Sequence, residues 1–224
     1  MDAAVAFLNQ YGNLLAQGTV DSLIMTVVST LFAYIIGVPL GVLLYITAPV
    51  GLRPHRVLNA VLGWIATMGR SIPFVILLVA LIPLSRLIMG TSLGIKGAIV
   101  PLIVTATPFV ARMVEQSLAE VDDGLVEAAQ SFGASTWQVV WKVYLKEGLP
   151  SLVRGVPITF ITLFGYVAIA GTVGAGGLGD IAIRYGYQRF IPEMMVVSVV
   201  LCVVLVQVFQ SLGDVVARRI DKRR

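Results

Sequence analysis

Residues 23–45 read LIMTVVSTLFAYIIGVPLGVLLY and contain no charged side chain. A helix of about 20 apolar residues is long enough to cross the hydrocarbon core of a bilayer. The stretch therefore predicts a membrane-spanning helix, in which Gly37 and Gly41 either seat a neighbouring helix closely or occur together by chance. Four further stretches satisfy the same criterion, so the five predicted spans are about 23–45, 57–82, 98–114, 152–173 and 194–212.

The composition of the whole chain agrees with a membrane protein. Hydrophobic residues make up 58% of the 224 residues, charged residues 12%, and the mean hydropathy is +0.92. Soluble domains contain about 25% charged residues. This chain therefore has too few polar residues to cover the surface of a protein in water. We predict an all-α integral membrane fold, with residues 1–224 forming one transmembrane domain. The single cysteine excludes an internal disulfide, and the lone His55 provides no metal site.

The basic residues predict the orientation of the spans. Cytoplasmic loops carry an excess of Lys and Arg, and an odd number of spans places the two termini on opposite sides. With the C-terminus in the cytoplasm, eleven basic residues lie inside and four outside. The inside group is Arg53, Arg56, Arg112, Lys142, Lys146, Arg154, Arg218, Arg219, Lys222, Arg223 and Arg224; the outside group is Arg86, Lys96, Arg184 and Arg189.

The N-terminus is predicted to lie outside the cytoplasm. Residues 1–22 contain no Lys or Arg, whereas a cleaved signal peptide has a positively charged start. We therefore expect no cleaved signal peptide, and expect the first span to remain in the mature protein.

The longest polar segment, residues 115–150, is predicted to be cytoplasmic and to contain two short helices. Asp122 and Asp123 suit the first turn of a helix, and Gly133 suits its end. Ser135 and Gln138 have the spacing of a capping box, which predicts that a second helix begins there.

Three aromatic residues in this segment, Phe132, Trp137 and Trp141, have few charges around them. Exposed aromatic side chains are typical of protein–protein interfaces. The alternative is an ordinary helical loop. The residues favour an interface with a partner protein.

The motif Glu127-Ala128-Ala129, three residues and Gly133 resembles the EAA loop of the permease subunits of bacterial ABC importers. In that family Ile-x-Leu-Pro follows nine residues after the glycine; here Val143 and Leu145 take the first two places and Lys146 replaces the proline. The resemblance implies a type I ABC importer permease fold in which this loop docks on a separate ATPase. The residues it assigns to ATPase coupling are Glu127, Ala128, Ala129, Phe132, Gly133 and Leu145.

Three further stretches, RSIPF at 70–74, TPFVARMVE at 107–115 and VGAGGLG at 173–179, are together similar to methionine importer permeases. This resemblance implies an inner-membrane homodimer that moves L- and D-methionine by alternating access. It implies as partners a cytoplasmic ABC ATPase dimer and a periplasmic or lipid-anchored methionine-binding protein, besides the lipid bilayer. ATP and Mg would be bound by the ATPase, with no cofactor or metal in this chain and no nucleic acid. A permease for another amino acid of the same superfamily is the alternative.

Polar, small or charged residues at breaks in the spans are candidates to line a translocation path. Arg70 is the one charge within the second predicted span, and Pro73 frees backbone carbonyls nearby. Arg70 could also extend to the interface, and the hydroxyl residues could instead hold helices together. The candidate path residues are Arg70, Ser71, Pro73, Thr105, Thr107, Thr159, Thr162 and Tyr166.

Residues 174–179, GAGGLG, contain the pattern GxGxxG. That pattern indicates dinucleotide binding only between a strand and a helix, whereas here it follows an apolar span. We predict instead an outer hinge or gate formed by Gly171, Gly174, Gly176, Gly177 and Gly179.

Two other classes of membrane protein are disfavoured by the sequence. A secondary transporter driven by an ion gradient is expected to carry carboxylates within its spans, and the five predicted spans contain no Asp or Glu. A membrane enzyme needs clustered His, Asp or Glu, which the chain does not show near a predicted interface. The chain also lacks the GxxxxGK[ST] loop that cradles ATP phosphates.

Overall fold

The computed structural model describes residues 2–220, with side chains from residue 5 onward, and within this range all regular structure is helical. Lys222, Arg223 and Arg224 of the predicted basic tail lie outside the described residues. The helices are α1 (Asp2–Ile46), α2 (Arg56–Ser71), α3 (Phe74–Ala80), α4 (Ile82–Met89), α5 (Gly94–Ala119), α6 (Asp123–Ser131), α7 (Thr136–Val139), α8 (Leu145–Glu147), α9 (Leu149–Thr172), α10 (Gly177–Ile181) and α11 (Pro192–Ile220). Two π-helical turns, Val140–Tyr144 and Ala182–Tyr187, follow α7 and α10.

Within the part of the chain that the structure describes, four helices, α1, α5, α9 and α11, are long and apolar enough to cross a membrane. The pair α2 and α3 is bent by 103° at the break between its members, and counts as a fifth span if the two are taken together. The predicted fold class, an all-α membrane protein with five spans, agrees with this arrangement.

The predicted second span, 57–82, is not one continuous helix. Helix α2 ends at Ser71, Ile72 is extended with φ −85° and ψ 124°, and α3 begins at Phe74. Pro73 explains the break, because a proline ring clashes with a helical preceding residue and provides no N–H for the helix ladder. A further break at Leu81 separates α3 from α4.

Helix α1 is much longer than the span predicted within it. The apolar helical run from Val5 to Ile46 has 42 residues, which corresponds to about 60 Å at 1.5 Å per residue, or about twice the hydrocarbon thickness of a bilayer. Hydropathy identified only residues 23–45 as a span. The helix begins earlier, because nothing in residues 2–22 interrupts it.

The chain forms two compact units. One comprises the residues up to Thr30, Pro73–Ile103 and Phe160–Phe209; the other comprises Leu31–Ile72, Val104–Thr159 and the residues from Gln210 onward. Buried clusters of the first unit lie around Leu15, Ile181 and Met194, and around Phe160, Phe164 and Leu178. In the second cluster the rings of Phe160 and Phe209 stack with their centroids 3.8 Å apart.

The second unit is held together by close helix approaches. Its buried cluster contains Leu44, Ala66 and Ala111. A Cβ placed on Gly37 would lie 2.7 Å from Val110, and one on Gly41 would lie 2.5 Å from Val114. Of the two alternatives left open for Gly37 and Gly41, the structure shows the close approach of a neighbouring helix, which is α5.

Candidate functional site

The segment between α5 and α9 contains the two predicted helices. Helix α6 begins after Asp122, whose Oδ1 accepts a hydrogen bond from the N–H of Gly124 at 2.7 Å, and Asp123 lies in its first turn. Both acidic residues therefore stand where they stabilise unpaired N–H groups and the positive end of the helix dipole. The predicted start of this helix is confirmed.

Helix α6 ends in a Schellman motif centred on Gly133. The N–H of Ala134 donates to the carbonyl of Ala129 at 3.0 Å, and the N–H of Gly133 donates to that of Gln130 at 2.8 Å. Gly133 has a φ of +79°, and no heavy atom lies within 4 Å of the position of a Cβ there. The backbone angle, and not a lack of space, therefore requires glycine at this position.

The capping box predicted at Ser135 and Gln138 is present. The Oγ of Ser135 accepts from the N–H of Gln138, and the Oε1 of Gln138 accepts from the N–H of Ser135 at 2.7 Å. The helix beyond it is not α-helical throughout, because Val140–Tyr144 forms a π-helical turn between α7 and α8. Nothing in the residue types of this stretch indicates the change from i+4 to i+5 hydrogen bonding.

One side of this segment is anchored in the second unit. Val126, Val139, Val140 and Tyr144 are buried, and the ring of Tyr144 packs edge-on against Tyr45 at 5.0 Å. Burial raises the pKa of Tyr144 well above its usual value, since water would otherwise stabilise the charged form.

The opposite side of the segment carries large side chains in solvent. Phe132 is 92% exposed, Trp141 68% and Trp137 59%. Glu127 and Ala128 are also exposed, whereas Ala129 and Leu145 are half-buried. Isolated apolar side chains are common on protein surfaces, but three aromatic side chains within ten residues form a patch of the kind that binds another protein.

Sequence reasoning missed one contact of this segment. The Nε of Arg53, in the turn between α1 and α2, donates a hydrogen bond to the Oγ1 of Thr136 at 3.1 Å. From the sequence, Arg53 was only one of the positive charges that predict the orientation of the spans. The contact ties the start of α7 to the turn after the first long helix.

The predicted path residues on the first break lie at the end of α2. Arg70 is exposed in the last turn, and the hydroxyl of Ser71 donates to the carbonyl of Thr67 at 2.9 Å. Pro73 is the residue before α3. In the first unit, Tyr166 stacks on the buried Phe74 with centroids 4.9 Å apart.

The four threonines predicted for the path are less exposed than Arg70 and Ser71. Thr159 is fully buried and donates its hydroxyl to the carbonyl of Gly155 at 3.0 Å, so its side chain is engaged within α9. Thr105 is buried, and Thr107 and Thr162 are half-buried. A cavity of about 280 Å³ in the first unit is lined by other residues, including Ser85, Arg86 and Gly174.

The predicted glycine hinge forms a tight turn between α9 and α10. Gly174, Gly176 and Gly177 have φ values of +93°, +86° and +80°. The turn opens with a second Schellman motif, in which the N–H of Ala175 donates to the carbonyl of Ala170 at 3.1 Å.

The other two predicted hinge glycines allow close packing. A Cβ on Gly171 would lie 2.5 Å from the backbone nitrogen of Asp180, and one on Gly179 would overlap the backbone of Ala168. The glycines of this region therefore have two structural roles, a turn with positive φ and contact between α9 and α10. Their role as a hinge or gate remains a prediction.

No group of three or more His, Cys, Asp or Glu side chains within residues 2–220 is placed to hold a metal ion.

Comparison with known proteins gives a consistent result. Residues 37–224 match the family described as binding-protein-dependent transport system inner membrane component. The chain is 49% identical over 211 residues to a probable D-methionine transport system permease protein, MetI, of Vibrio cholerae serotype O1, with 94% of each chain covered. It is 50% identical over 158 residues to the D-methionine transport system permease protein MetI of Escherichia coli K12, covering 70% of this chain and 73% of the relative.

Solved structures show the same likeness in three dimensions. The chain matches one from an inward-facing MetNI methionine ABC transporter with a TM-score of 0.93 and 47% identity, covering 95% of this chain and 99% of the other. A chain of an amino acid ABC transporter matches with a TM-score of 0.78 at 18% identity, covering 96% and 97%. The second match shows a shared fold only.

Proposed function

The chain belongs to the family of inner membrane components of binding-protein-dependent transport systems, and from this we propose that it is the permease subunit of an ATP-driven importer of methionine. The relatives with close to half of their residues identical are methionine permeases, and they match over most of the chain. The chain is a multi-pass inner-membrane transport component and not the subunit that hydrolyses ATP.

The observation that carries this proposal is the geometry of residues 122–147, the docking segment. An exposed helix ends at a glycine with φ +79°, and three largely exposed aromatic side chains follow or close it, while valines on the opposite side hold it in place. A permease without its own ATP site needs a rigid surface that a separate ATPase can move. The docking segment supplies such a surface.

The partners are part of the same proposal. The docking segment binds a cytoplasmic ABC ATPase, which binds the ATP and Mg while this chain binds neither. Two copies of the chain form the path, each with its own ATPase subunit, and a methionine-binding protein, periplasmic or lipid-anchored, delivers the substrate on the outer side. The solved relative with 47% identity is part of a methionine ABC transporter, which supports the ATPase as partner.

The docking segment lies on the cytoplasmic side, with the N-terminus outside and the C-terminus inside. This orientation is supported by the eleven basic residues on one side of the predicted spans against four on the other. The glycine turn at residues 174–179 then lies on the outer side, where it acts as a gate.

Transport proceeds by alternating access. Closure of the ATPases on ATP draws the two Glu127–Gly133 loops together, and the path opens outward to the loaded binding protein. Hydrolysis reverses the movement. Arg70 and Ser71 at the end of α2, with Pro73, Thr105, Thr107, Thr159, Thr162 and Tyr166, are the proposed path residues.

The test is uptake of labelled methionine into proteoliposomes that contain the chain, the ATPase and the binding protein. We expect uptake that requires ATP and all three proteins, and that other amino acids in tenfold excess do not abolish. The substitution Gly133→Asp should leave the protein inserted in the membrane and the ATPase bound. ATP hydrolysis in this variant should no longer drive methionine uptake. Uptake without the ATPase, driven by a proton or sodium gradient, would contradict the proposal.

A further inference from the structure

Arg112 of α5 makes polar contacts with a neighbouring helix as well as with its own. Its Nη1 lies 2.7 Å from the Oε2 of Glu115, one turn further along α5. Its Nη2 donates to the carbonyl of Gly63 at 2.9 Å and to the Oγ1 of Thr67 at 3.3 Å, both on α2. The side chains of Arg112 and Glu115 are 27% and 24% exposed, so the pair is largely shielded from solvent.

The contact continues along one face of α2. The hydroxyl of Thr67 donates to the carbonyl of Gly63 at 2.8 Å, and the hydroxyl of Ser71 donates to the carbonyl of Thr67 at 2.9 Å. Residues four apart lie above one another on a helix. Arg112 therefore contacts the first residues of a hydrogen-bonded row on α2, which runs from Gly63 through Thr67 to Ser71, next to the exposed Arg70.

Two glycines allow α2 and α5 to approach at this point. A Cβ on Gly69 would lie 2.6 Å from the Cγ of Pro108, and one on Gly63 would lie 3.2 Å from the Nη2 of Arg112. As the residue number rises on α2 it falls on α5, so the two helices run antiparallel. The contact at Arg112 and the packing at Pro108 together fix their register.

The two helices in this contact lead to the docking segment and to the path residues. Helix α5 ends at Ala119, three residues before the cap of α6, the first helix of the docking segment. Helix α2 ends at Ser71, next to the break at Ile72 and Pro73. A movement of the docking segment along α5 thus reaches the end of α2 through Arg112.

We propose that Arg112 is a positioning residue that couples movement of the docking segment to the path residues at the end of α2. The inference rests on the proposed function. A guanidinium is suited to this role, because its planar fork binds a carboxylate and a carbonyl at the same time. A lysine keeps the charge, but its single nitrogen does not reproduce the fork of two nitrogens that binds the carboxylate and the carbonyl here.

The test measures methionine taken up per ATP hydrolysed in proteoliposomes that contain the chain, the ATPase and the binding protein. For Arg112→Gln we expect this ratio to fall tenfold or more, while ATPase binding and the hydrolysis rate stay within about twofold of the unsubstituted chain. Arg112→Lys should restore the ratio only in part. The control is Arg86→Gln, which also removes one arginine with a hydrogen bond to a side chain, here Ser92, and should leave the ratio unchanged.

A second pair of variants decides between the outcomes if Arg112→Gln does not assemble. Gly63→Ala places a methyl group against the guanidinium, whereas Gly165→Ala, also within a helix, places one where no atom lies within 4 Å. Only Gly63→Ala should lower the ratio.

The outcomes separate the inference from the function on which it rests. An unchanged ratio in Arg112→Gln, or in Gly63→Ala where that variant decides, overturns the inference and leaves the proposed function standing. A ratio and a hydrolysis rate that fall together would indicate a purely structural role and also overturn it. If the unsubstituted chain shows no ATP-dependent methionine uptake, the proposed function fails and the inference fails with it.

Discussion

The backbone N–H of Leu178 donates a hydrogen bond to the side-chain hydroxyl of Ser22 at 2.9 Å, across 156 positions of the chain. Leu178 lies in the first turn of α10, where helix N–H groups have no partner within the helix. Both residues are about 1% exposed, so water cannot replace the hydroxyl. The side chain of Ser22 on α1 thus accepts a hydrogen bond from an N–H group at the N-terminus of α10, the short helix after the glycine turn.

Ser22→Ala should destabilise the first unit. It leaves a buried N–H without an acceptor, which costs about 1 to 3 kcal/mol, and we expect a lower midpoint of thermal unfolding in detergent. Ser29→Ala is the matched control, because Ser29 is equally buried on α1 but its hydroxyl has no hydrogen-bond partner. Equal midpoints for the two variants would show that the Ser22 contact contributes nothing.

Gly133→Ala should impair transport through backbone strain alone. An L-residue in the left-handed region costs roughly 1 to 2 kcal/mol, and the space around Gly133 is open. Gly90→Ala introduces the same strain, since Gly90 has a φ of +74° and equally open surroundings at the end of α4. Methionine uptake per ATP should fall in the first variant and not in the second. A loss of similar size in both would contradict a specific role for the Gly133 turn.

Phe132→Ser should weaken binding of the ATPase without changing the stability of the isolated chain. The ring is 92% exposed, so it contributes little to the fold, and an aromatic anchor at an interface contributes on the order of 2 kcal/mol, or about thirtyfold in affinity. Phe190→Ser is the control, since Phe190 is 85% exposed in a segment predicted to lie outside. Affinity of each variant for the purified ATPase, measured in detergent, tests this expectation.

The same two phenylalanines test the orientation. In a chain with Cys202→Ala, a cysteine at position 190 should react with a membrane-impermeant thiol reagent in cells with a permeabilised outer membrane. A cysteine at position 132 should react only after the inner membrane is opened. The reversed pattern would invert the proposed topology.

Local signals in the sequence predicted local structure well. The capping box at Ser135 and Gln138 and the glycine end of α6 are both present, because a few neighbouring residues determine each of them. The break after Ser71 was also readable, since Pro73 disfavours a helical Ile72.

Other features depend on residues distant in sequence. Those partners of Arg112 that lie on α2 are 45 and 49 positions away, and no spacing rule relates such positions. The length of α1 was missed for another reason: residues 2–22 are helical but less apolar than the span after them. Contacts within the first unit, such as Gly18 against Ile181, hold that extension in place.

The π-helical turn at Val140–Tyr144 sets the angular phase of α8 relative to α7. A π-turn contains about one residue more than an α-turn, and one residue corresponds to about 100° of rotation about the helix axis. With the same residues in a regular α-helix, Leu145 and Lys146 would lie about that angle further around the helix axis relative to Ser135, whereas deleting one residue would leave their direction nearly unchanged. The single extra residue therefore determines which side chains of α8 point in the same direction as Trp137 of α7.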